Sequence, residues 1–264
     1  MERQTIYLGK QRALTTTQRG HLMYVQTTDL SLAPWIMLNG VWEEACTEIF
    51  CDVVRPGMTV VEVGANIGYF TLLAADCVGP NGCVHAFEPD PQNFELLRDN
   101  VEVNGFTGRV TLHREALSDH AGRATFYSTT KHRGNGSLIE RLDQLGDNSG
   151  EVVPFDVDVT TLDAFAIGPI DVLKIDAEGS EPFVFRGGRE TIERSPNVTA
   201  IVEYWPKFFA KAGEDAAEFL REREREGFSL ARIAGRKEPE ILPSDVATLQ
   251  QIAMTELVLR KTAA

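Results

Sequence analysis

Two acidic residues, each next to a short apolar run, are the side chains best placed to do chemistry in this sequence. The run over residues 60–63 carries Glu62 and precedes Gly64, and a second run over 83–87 is followed by Glu88, 24 residues after Gly64. The carboxyl ends of neighbouring parallel strands meet at one edge of a sheet, and nucleoside-containing cofactors bind there. The spacing therefore predicts such a site.

The turn between the two acids narrows the choice of cofactor. A dinucleotide fingerprint has glycine at its first, third and sixth positions, and here Gly64, Asn66 and Tyr69 occupy them. The third-position glycine lets the backbone approach a pyrophosphate. Because Asn66 stands there, the turn disfavours a nicotinamide-dependent oxidoreductase and favours S-adenosylmethionine, which has a ribose but no pyrophosphate. A non-catalytic binding module with this fold is a further alternative, although such a module would be expected to lose the two acids.

These residues must be positioned by alternating strands and helices. Apolar runs typical of strands alternate with helical stripes from about Glu43 onward, which predicts an α/β fold with a mostly parallel sheet and helices on both faces. Strands are predicted at 58–63, 83–88, 109–114, 170–175 and 198–202, followed by a terminal antiparallel pair at 228–233 and 252–259. Helices are predicted at 43–54, 67–78, 91–104 and 207–226.

Two further segments are predicted around this core. Residues 1–42 form an N-terminal extension with a short hairpin between 6–8 and 22–25, which is either a lid or an edge cover; the main domain spans 43–264. A hairpin insertion is predicted near 123–159, with arms at 124–128 and 152–159. Between the arms, the polar, glycine-rich segment 129–150 is predicted to be mobile and surface-exposed.

Charge and composition limit the partners. The chain has 264 residues with 26 Lys plus Arg against 39 Asp plus Glu, a net charge of −13, which disfavours binding to nucleic acid. It has no apolar run long enough for a transmembrane helix and no signal-peptide pattern. Its four cysteines lack CxxC spacing and are predicted to be free thiols. We expect a cytoplasmic protein with a small-molecule substrate and no nucleic-acid or membrane partner; the sequence leaves a homo-oligomer open.

Three motifs together resemble those of the FkbM-type class I S-adenosylmethionine-dependent methyltransferases. They are VEVGANIGYF at 61–70, FEPDPQNF at 87–94 and LKIDAEGSE at 173–181, accompanied by EALS at 115–118 and NGSL at 135–138. The resemblance covers about residues 40–205. It implies a Rossmann-like seven-stranded sheet with an antiparallel terminal strand, and O-methylation of a sugar or natural-product intermediate.

The resemblance also implies roles for the cofactor-binding residues. Glu62 would meet the ammonium of the methionine part, Glu88 would accept both ribose hydroxyls, and Glu115 with Ala116 would flank the adenine. The N-terminus of the helix after the turn would favour the cofactor's carboxylate. The full predicted set is Glu62, Gly64, Ala65, Asn66, Gly68, Tyr69, Glu88, Pro89, Glu115, Ala116 and Asp176.

A hydroxyl acceptor must lose its proton, which calls for a general base or a metal-polarised oxygen. The predicted catalytic acids are Asp176, Glu178 and Glu203, although Glu178 and Glu203 could instead cap loops. Asp176 and Glu178 could together bind a divalent ion, but the sequence reveals no dedicated ligand cluster, so no metal site is predicted.

Other residues could contact the acceptor or accept its proton. His132 in the insertion and Trp205 after the fifth strand are the predicted substrate contacts, against an inert loop histidine and a packing residue as alternatives. His113 and His120 are alternative bases. Lys174 is expected to be structural or a local charge partner.

Overall fold

Strands and helices alternate along most of the chain. The computed structural model describes residues 4–140, 150–235 and 238–261. The strands are β1 Ile6–Gly9, β2 Arg12–Thr16, β3 Leu22–Gln26, β4 Thr59–Val63, β5 Cys83–Phe87, β6 Val110–His113, β7 Ala116–Leu117, β8 Gly122–Thr129, β9 Val152–Thr160, β10 Val172–Ile175, β11 Thr199–Tyr204, β12 Phe228–Ala234, β13 Glu240–Pro243 and β14 Thr255–Lys261. The α-helices are α1 Ala33–Asn39, α2 Glu44–Val53, α3 Tyr69–Val78, α4 Pro91–Val103, α5 Glu181–Gly187, α6 Arg189–Glu193, α7 Pro206–Lys211, α8 Ala216–Arg225 and α9 Val246–Leu249.

Eight of the described strands form one central sheet in the order β13-β12-β14-β11-β10-β4-β5-β6. From β11 to β6 all neighbours are parallel, whereas β14 is antiparallel to both β11 and β12. The predicted Rossmann-like α/β fold with an antiparallel terminal strand is therefore confirmed. The structure adds β13, which pairs with β12 at the sheet edge and makes eight strands instead of the seven expected.

The middle strands are buried because helices cover both faces of the sheet. All four residues of β10 are buried, as are the last four of β4. Alternate residues of these strands belong to two apolar clusters, one containing Val60 and Val172 and the other Val61 and Leu173. Parallel strands buried on both faces read as nearly continuous apolar runs, which is why the sequence predicts them well.

The N-terminal extension differs from the predicted hairpin. It is a three-stranded antiparallel sheet in which β2 lies between β1 and β3, so that β1 pairs with β2 and not with β3. Lys10 and Gln11 join β1 to β2 with φ values of 48° and 61°, the conformation of a tight hairpin turn. On α4, the Asn100 side chain accepts from the backbone N–H of Tyr24 at 2.6 Å and thereby attaches this sheet to the main domain.

The long helix predicted at 207–226 is wrong in one respect, because the structure divides it into α7 and α8. Gly213 between them has a φ of 81°, which ends the helical path. Asp215 then begins the second helix by accepting hydrogen bonds from the backbone N–H groups of Ala217 and Glu218 at 2.8 and 3.1 Å.

The insertion consists of the antiparallel pair β8 and β9, which together with β7 form a separate three-stranded sheet. The prediction that 129–150 is surface-exposed is wrong for its first part, because Thr129 and Ser137 are buried. Ser137 forms a β-bridge with Tyr127, which folds the segment back on β8. Residues 141–149, on which the rest of that prediction falls, lie outside the described residues.

Cysteines and helix lengths agree with the sequence analysis. Cys46, Cys51, Cys77 and Cys83 are free thiols. Of the helices in residues 4–140, 150–235 and 238–261, none is long and apolar enough to cross a membrane.

Candidate active site

A cleft opens at the carboxyl ends of β4, β5 and β10. The backbone N–H groups of Gly64 and Ala65 both donate to the carbonyl of Phe87 at 3.0 Å, so the loop after β4 bends across the end of β5. The cleft contains about 800 Å³ of space, open solvent included, and is bordered by Glu62, Glu88 and Asp176. The strand ends therefore bring together three acids that are far apart in the sequence.

Gly64 allows two loops to approach closely at the floor of this cleft. Its φ is 81°, and a Cβ atom placed there would lie 1.8 Å from the carbonyl oxygen of Asp176. Only glycine fits at this position, because any side chain would separate the ends of β4 and β10. The glycine thus fixes the position of Asp176 relative to the turn.

Glu88 is 4% exposed and is held by two backbone donors. One carboxylate oxygen accepts from the N–H of Asn66 at 2.7 Å and the other from the N–H of Asp90 at 2.9 Å. Burial, followed by the nearby Asp90 carboxylate, raises the pKa of Glu88 to about 8. Each carboxylate oxygen can accept a second hydrogen bond, so the group can still receive two hydroxyls from the cleft.

Glu62 is buried within β4, and its carboxylate accepts a hydrogen bond of 2.5 Å from the Thr71 hydroxyl on α3. Burial is the main reason that its pKa rises to about 7, and the nearby Asp176 carboxylate adds to the shift. Lys174 and the Thr71 hydrogen bond act in the opposite direction. A cationic group entering the cleft would favour the charged form of Glu62.

A second group of acids lies beside the cleft, where β10 and β11 end. Asp176, Glu178 and Glu203 each offer a carboxylate oxygen, and these oxygens lie within 4.8 Å of one another. Glu203 is 6% exposed, and burial together with the other carboxylates raises its pKa well above the ordinary value. The structure thus brings together all three acids predicted to be catalytic.

Lys174 lies next to this group. Its ammonium is 3.3 Å from the Asp176 carboxylate and 4.3 Å from the centre of the Phe70 ring. Burial lowers its pKa, but Asp176 and other acids, including Glu43 and Glu256, raise it well above the ordinary value overall. Lys174 is therefore a charged partner of Asp176, as the sequence analysis expects.

Glu181 holds the loop that carries Glu178. Its two carboxylate oxygens accept from the backbone N–H groups of Ala177 and Gly179 at 2.8 and 3.0 Å. Glu178 has a φ of 53°, a conformation that is uncommon for a residue with a side chain. The loop after β10 is thus fixed by its own hydrogen bonds.

The insertion covers the cleft from the other side. Arg133 donates to the buried Asp90 carboxylate at 3.3 Å, and the Ser137 hydroxyl donates to the carbonyl of Glu178 at 2.8 Å. These two contacts fasten the insertion to the loop after β5 and to the loop after β10. Residues 133–138 of the segment between the hairpin arms consequently contribute to the cleft wall.

Several lining residues were not identified from the sequence. They are Leu32, Trp42, Asn93, Leu117, Phe126, Arg133, Gly134, Gly136, Leu138, Lys174 and Ser180, together with the apolar Val63, Phe70, Phe87 and Ala177. Ser180 stands out because its hydroxyl is buried and finds no hydrogen-bond partner within the described part of the chain. The NGSL stretch at 135–138 indicates that the insertion lines the cleft, since the lining residues Gly136 and Leu138 belong to this stretch.

Most of the predicted cofactor residues border the cleft. They are Glu62, Gly64, Ala65, Asn66, Tyr69, Glu88, Pro89, Glu115, Ala116 and Asp176. Gly68 does not border it, and a Cβ atom there would lie 2.6 Å from Cδ1 of Leu97, so this glycine lets α3 pack closely against α4.

The predicted substrate contacts lie away from the cleft. The backbone N–H of His132 donates to the Thr129 hydroxyl at 3.0 Å, and the Trp205 ring stacks on Phe208 with 3.8 Å between ring centres. Neither borders the described cleft. Of the alternative bases, His113 stacks on Phe87 at 4.3 Å and His120 pairs with Asp119 at 2.9 Å.

Sequence comparison assigns this arrangement to a family. A family model described as the methyltransferase FkbM domain matches residues 62–230, which is more than half of the chain. The chain belongs to the FkbM methyltransferase family. The matched residues run from Glu62 in β4 to Leu230 in β12 and include both groups of acids.

Two curated relatives show how far the similarity extends. The 31-O-demethyl-FK506 methyltransferase FkbM of Streptomyces tacrolimicus is 38% identical over 161 residues, which is 51% of this chain and 60% of that protein. Methyltransferase 1 of Beauveria bassiana is 31% identical over 144 residues, 48% of this chain and 57% of that protein. The chain thus spans somewhat more than half the length of these relatives.

Among solved structures, TYW2 of Pyrococcus horikoshii in complex with MeSAdo has a similar fold. Its TM-score is 0.50 at 13% sequence identity, and the match covers 98% of this chain and 74% of that one. At this identity the likeness concerns the fold alone.

Proposed function

We propose that the protein transfers a methyl group from S-adenosylmethionine to a hydroxyl of a small molecule, such as a sugar or a natural-product intermediate. The observation that carries this proposal is the pairing of a cleft bordered by the buried acids Glu62 and Glu88 with three further carboxylates at its edge. Membership of the FkbM family supports methyl transfer, and the Streptomyces relative is named for an O-demethyl substrate.

The cleft suits the methyl donor in its polar and apolar parts. Glu88 has two oxygens available for the ribose hydroxyls, and Glu62 supplies the negative charge that an amino-acid ammonium needs. Ala116, Leu117 and Phe126 provide apolar wall for a flat base. In this proposal, S-adenosylmethionine supplies an electrophilic methyl group on a sulfonium, and the chain orients that group toward the acceptor.

The acids at the edge of the cleft would accept the proton of the acceptor hydroxyl. The acceptor oxygen forms a bond to the methyl carbon, the carbon–sulfur bond breaks, and its electron pair stays on sulfur. The hydroxyl proton passes to the carboxylate group of Asp176, Glu178 and Glu203. Asp176 borders the cleft and also belongs to the group of three acids, so it lies between the proposed methyl-donor site and the proposed base. Its carboxylate is 3.3 Å from the Lys174 ammonium. Positioning supplies much of the rate of such an in-line displacement.

An oxidoreductase fits the cleft less well. The backbone N–H of Asn66, at the position where a dinucleotide site has its second glycine, is already bonded to Glu88 at 2.7 Å. A titration with NADH separates the two functions, since tight binding would favour the oxidoreductase.

The proposal is tested by following labelled methyl transfer to a pool of hydroxylated small molecules. Asp176→Asn and Glu178→Gln are expected to lower turnover by about 100-fold or more while changing affinity for S-adenosylhomocysteine by less than about threefold. Glu224→Gln, an exposed acid on α8, is the matched control and should keep wild-type turnover. Label that appears only in RNA or protein, or full turnover in both acid variants, would contradict the proposal.

A further inference from the structure

The carboxyl groups of Asp176, Glu178 and Glu203 lie close together at the carboxyl ends of β10 and β11. Their oxygens lie within 4.8 Å of one another, and Glu178 and Glu203 are 9% and 6% exposed. Like charges at this separation repel, and water screens that repulsion poorly in a buried site. The Lys174 ammonium, 3.3 Å from the Asp176 carboxylate, is one positive charge beside these three acids.

Glu203 supplies an independent sign that a ligand belongs here. Its Oε2 atom is buried and has no hydrogen-bond partner among the residues that the structure describes, and the residue as a whole is more than nine-tenths buried. A buried carboxylate oxygen without a partner is costly, and such groups call for a specific explanation. Because Glu203 belongs to the group of three carboxylates, a cation placed among them would satisfy this oxygen.

The neighbouring acids Glu181 and Glu256 differ from Glu203 in their hydrogen bonds or in their distance from the three-carboxylate group. Glu181 is equally buried, but both of its oxygens accept from backbone N–H groups, at 2.8 and 3.0 Å. Glu181 therefore fixes the loop and does not compete for a cation. Glu256 lies opposite Glu203 across the β11–β14 pair and also has a buried oxygen without a partner, but it is not part of the three-carboxylate group.

We propose that Asp176, Glu178 and Glu203 together bind one hard divalent cation, such as Mg²⁺ or Mn²⁺, at the carboxyl ends of β10 and β11. Carboxylate oxygens are the ligands that these ions prefer, and Mg²⁺ is usually held by a few carboxylates with the remaining positions left for water or substrate oxygens. Three protein ligands would leave such positions open.

The place of the site gives the cation a use, and this step rests on the proposed function. Asp176 belongs both to the three-carboxylate group and to the wall of the cofactor cleft. An acceptor oxygen bound to the cation would therefore lie next to the methyl donor, and its hydroxyl would lose a proton more readily. The site would select acceptors with two neighbouring oxygens that can bind a metal ion together.

The experiment is a titration of the full chain with Mn²⁺ alone, in which free Mn²⁺ is followed by electron paramagnetic resonance. One saturable site per chain is expected. Glu203→Gln and Asp176→Asn should each weaken binding by about tenfold or more, because loss of a ligand costs at least as much as loss of its supporting residues. Glu256→Gln is the matched control and should change affinity by less than about threefold. Far-ultraviolet circular dichroism checks that each variant is folded.

Absence of saturable binding by the wild type would overturn the metal site. So would an equal loss of affinity in Glu256→Gln, because that result would mean diffuse attraction by many acids. Cofactor binding and methyl transfer are separate readouts. Methyl transfer that is unchanged by removal of divalent ions would overturn the role of the cation in the reaction, whereas Mn²⁺ binding without methyl transfer would contradict the proposed function alone.

Discussion

At the scale of single residues, the carboxyl group of Glu88 links the cleft to pH. Burial holds its pKa at about 8, above the ordinary value, so the unliganded protein carries this group largely protonated at neutral pH. The protonated form contributes stability that is complete at acidic pH and is lost as the pH rises through about 8. Two ribose hydroxyls, in contrast, would favour the ionised form, which can accept from both.

We therefore expect S-adenosylhomocysteine binding to release about one proton at pH 7, and affinity to rise as the pH approaches 8. Calorimetry in buffers of different ionisation enthalpy measures the released proton. Glu88→Gln is the control, since it keeps the volume of the side chain and any titration of the ligand's own amino group. Proton uptake by the wild type, or the same proton release by the Gln variant, would refute this role of Glu88.

At the scale of elements, the close approach of β4 and β10 explains why the turn after β4 must begin with Gly64. A methyl group there would meet the Asp176 carbonyl at 1.8 Å, whereas one at Gly57, which has a similar φ of 85°, would meet nothing within 4 Å. The pair separates the cost of the backbone conformation from the cost of pushing two strand ends apart.

Gly57→Ala is expected to lower the free energy of unfolding by about 1–2 kcal/mol, the cost of a left-handed conformation with a side chain. Gly64→Ala should cost at least about 2 kcal/mol more, because the backbone of β10 must move. Urea unfolding curves measure both values. Equal costs would show that the close approach does not constrain the fold.

Two ion pairs of the insertion differ in their exposure to water. Arg133 reaches the Asp90 carboxylate at 3.3 Å with its side chain only 16% exposed, so the pair is shielded from water. Arg123 on β8 pairs with Asp158 at 3.7 Å with both side chains more than 60% exposed. Removing one partner of a shielded ion pair costs more free energy than removing one partner of an exposed pair.

Arg133→Gln should loosen the cover and increase the dissociation rate of S-adenosylhomocysteine by about fivefold, equivalent to about 1 kcal/mol. Arg123→Gln, in the same insertion, should leave the rate unchanged. Stopped-flow displacement measures the two rates. If both variants dissociate at the wild-type rate, the insertion does not retain the ligand.

The elements also explain how much of this structure could be predicted. Periodicity and the strand-end acids give β4, β5, β10 and β11 to within a few residues, because buried parallel strands have little freedom in composition. Arg223 illustrates the limit of such patterns. It belongs to a run of alternating charges typical of a solvated helix face, yet it is 2% exposed and lies 4.4 Å from the Phe185 ring centre.

At the scale of the whole molecule, the part of the site that comes from one strand end is visible in the sequence and the part that comes from tertiary contact is not. Glu62, Glu88 and Asp176 are readable because each stands next to its own strand. Arg133 and Leu32 enter the cleft only through the packing of separate elements, so local patterns give no direct signal for them. For the same reason, the sequence identifies Asp176, Glu178 and Glu203 as individual acids but does not show that they form a cluster.

The net charge of −13 acquires a more definite meaning in the folded chain. Several of the acids counted in it are buried at one edge of the central sheet, where burial raises the pKa values of Glu62, Glu88, Glu181 and Glu203, so these groups carry less than their formal charge at neutral pH. Cations and hydrogen-bond donors are therefore the groups that this edge can receive most favourably.

Calorimetric titration with S-adenosylhomocysteine tests the central claim most directly. The wild-type chain is expected to bind one molecule, and Glu88→Ala should weaken binding by at least about tenfold, because two charge-assisted hydrogen bonds to the ribose are lost. No binding by the wild type, or undiminished binding by Glu88→Ala, would contradict the assignment of this cleft to the methyl donor.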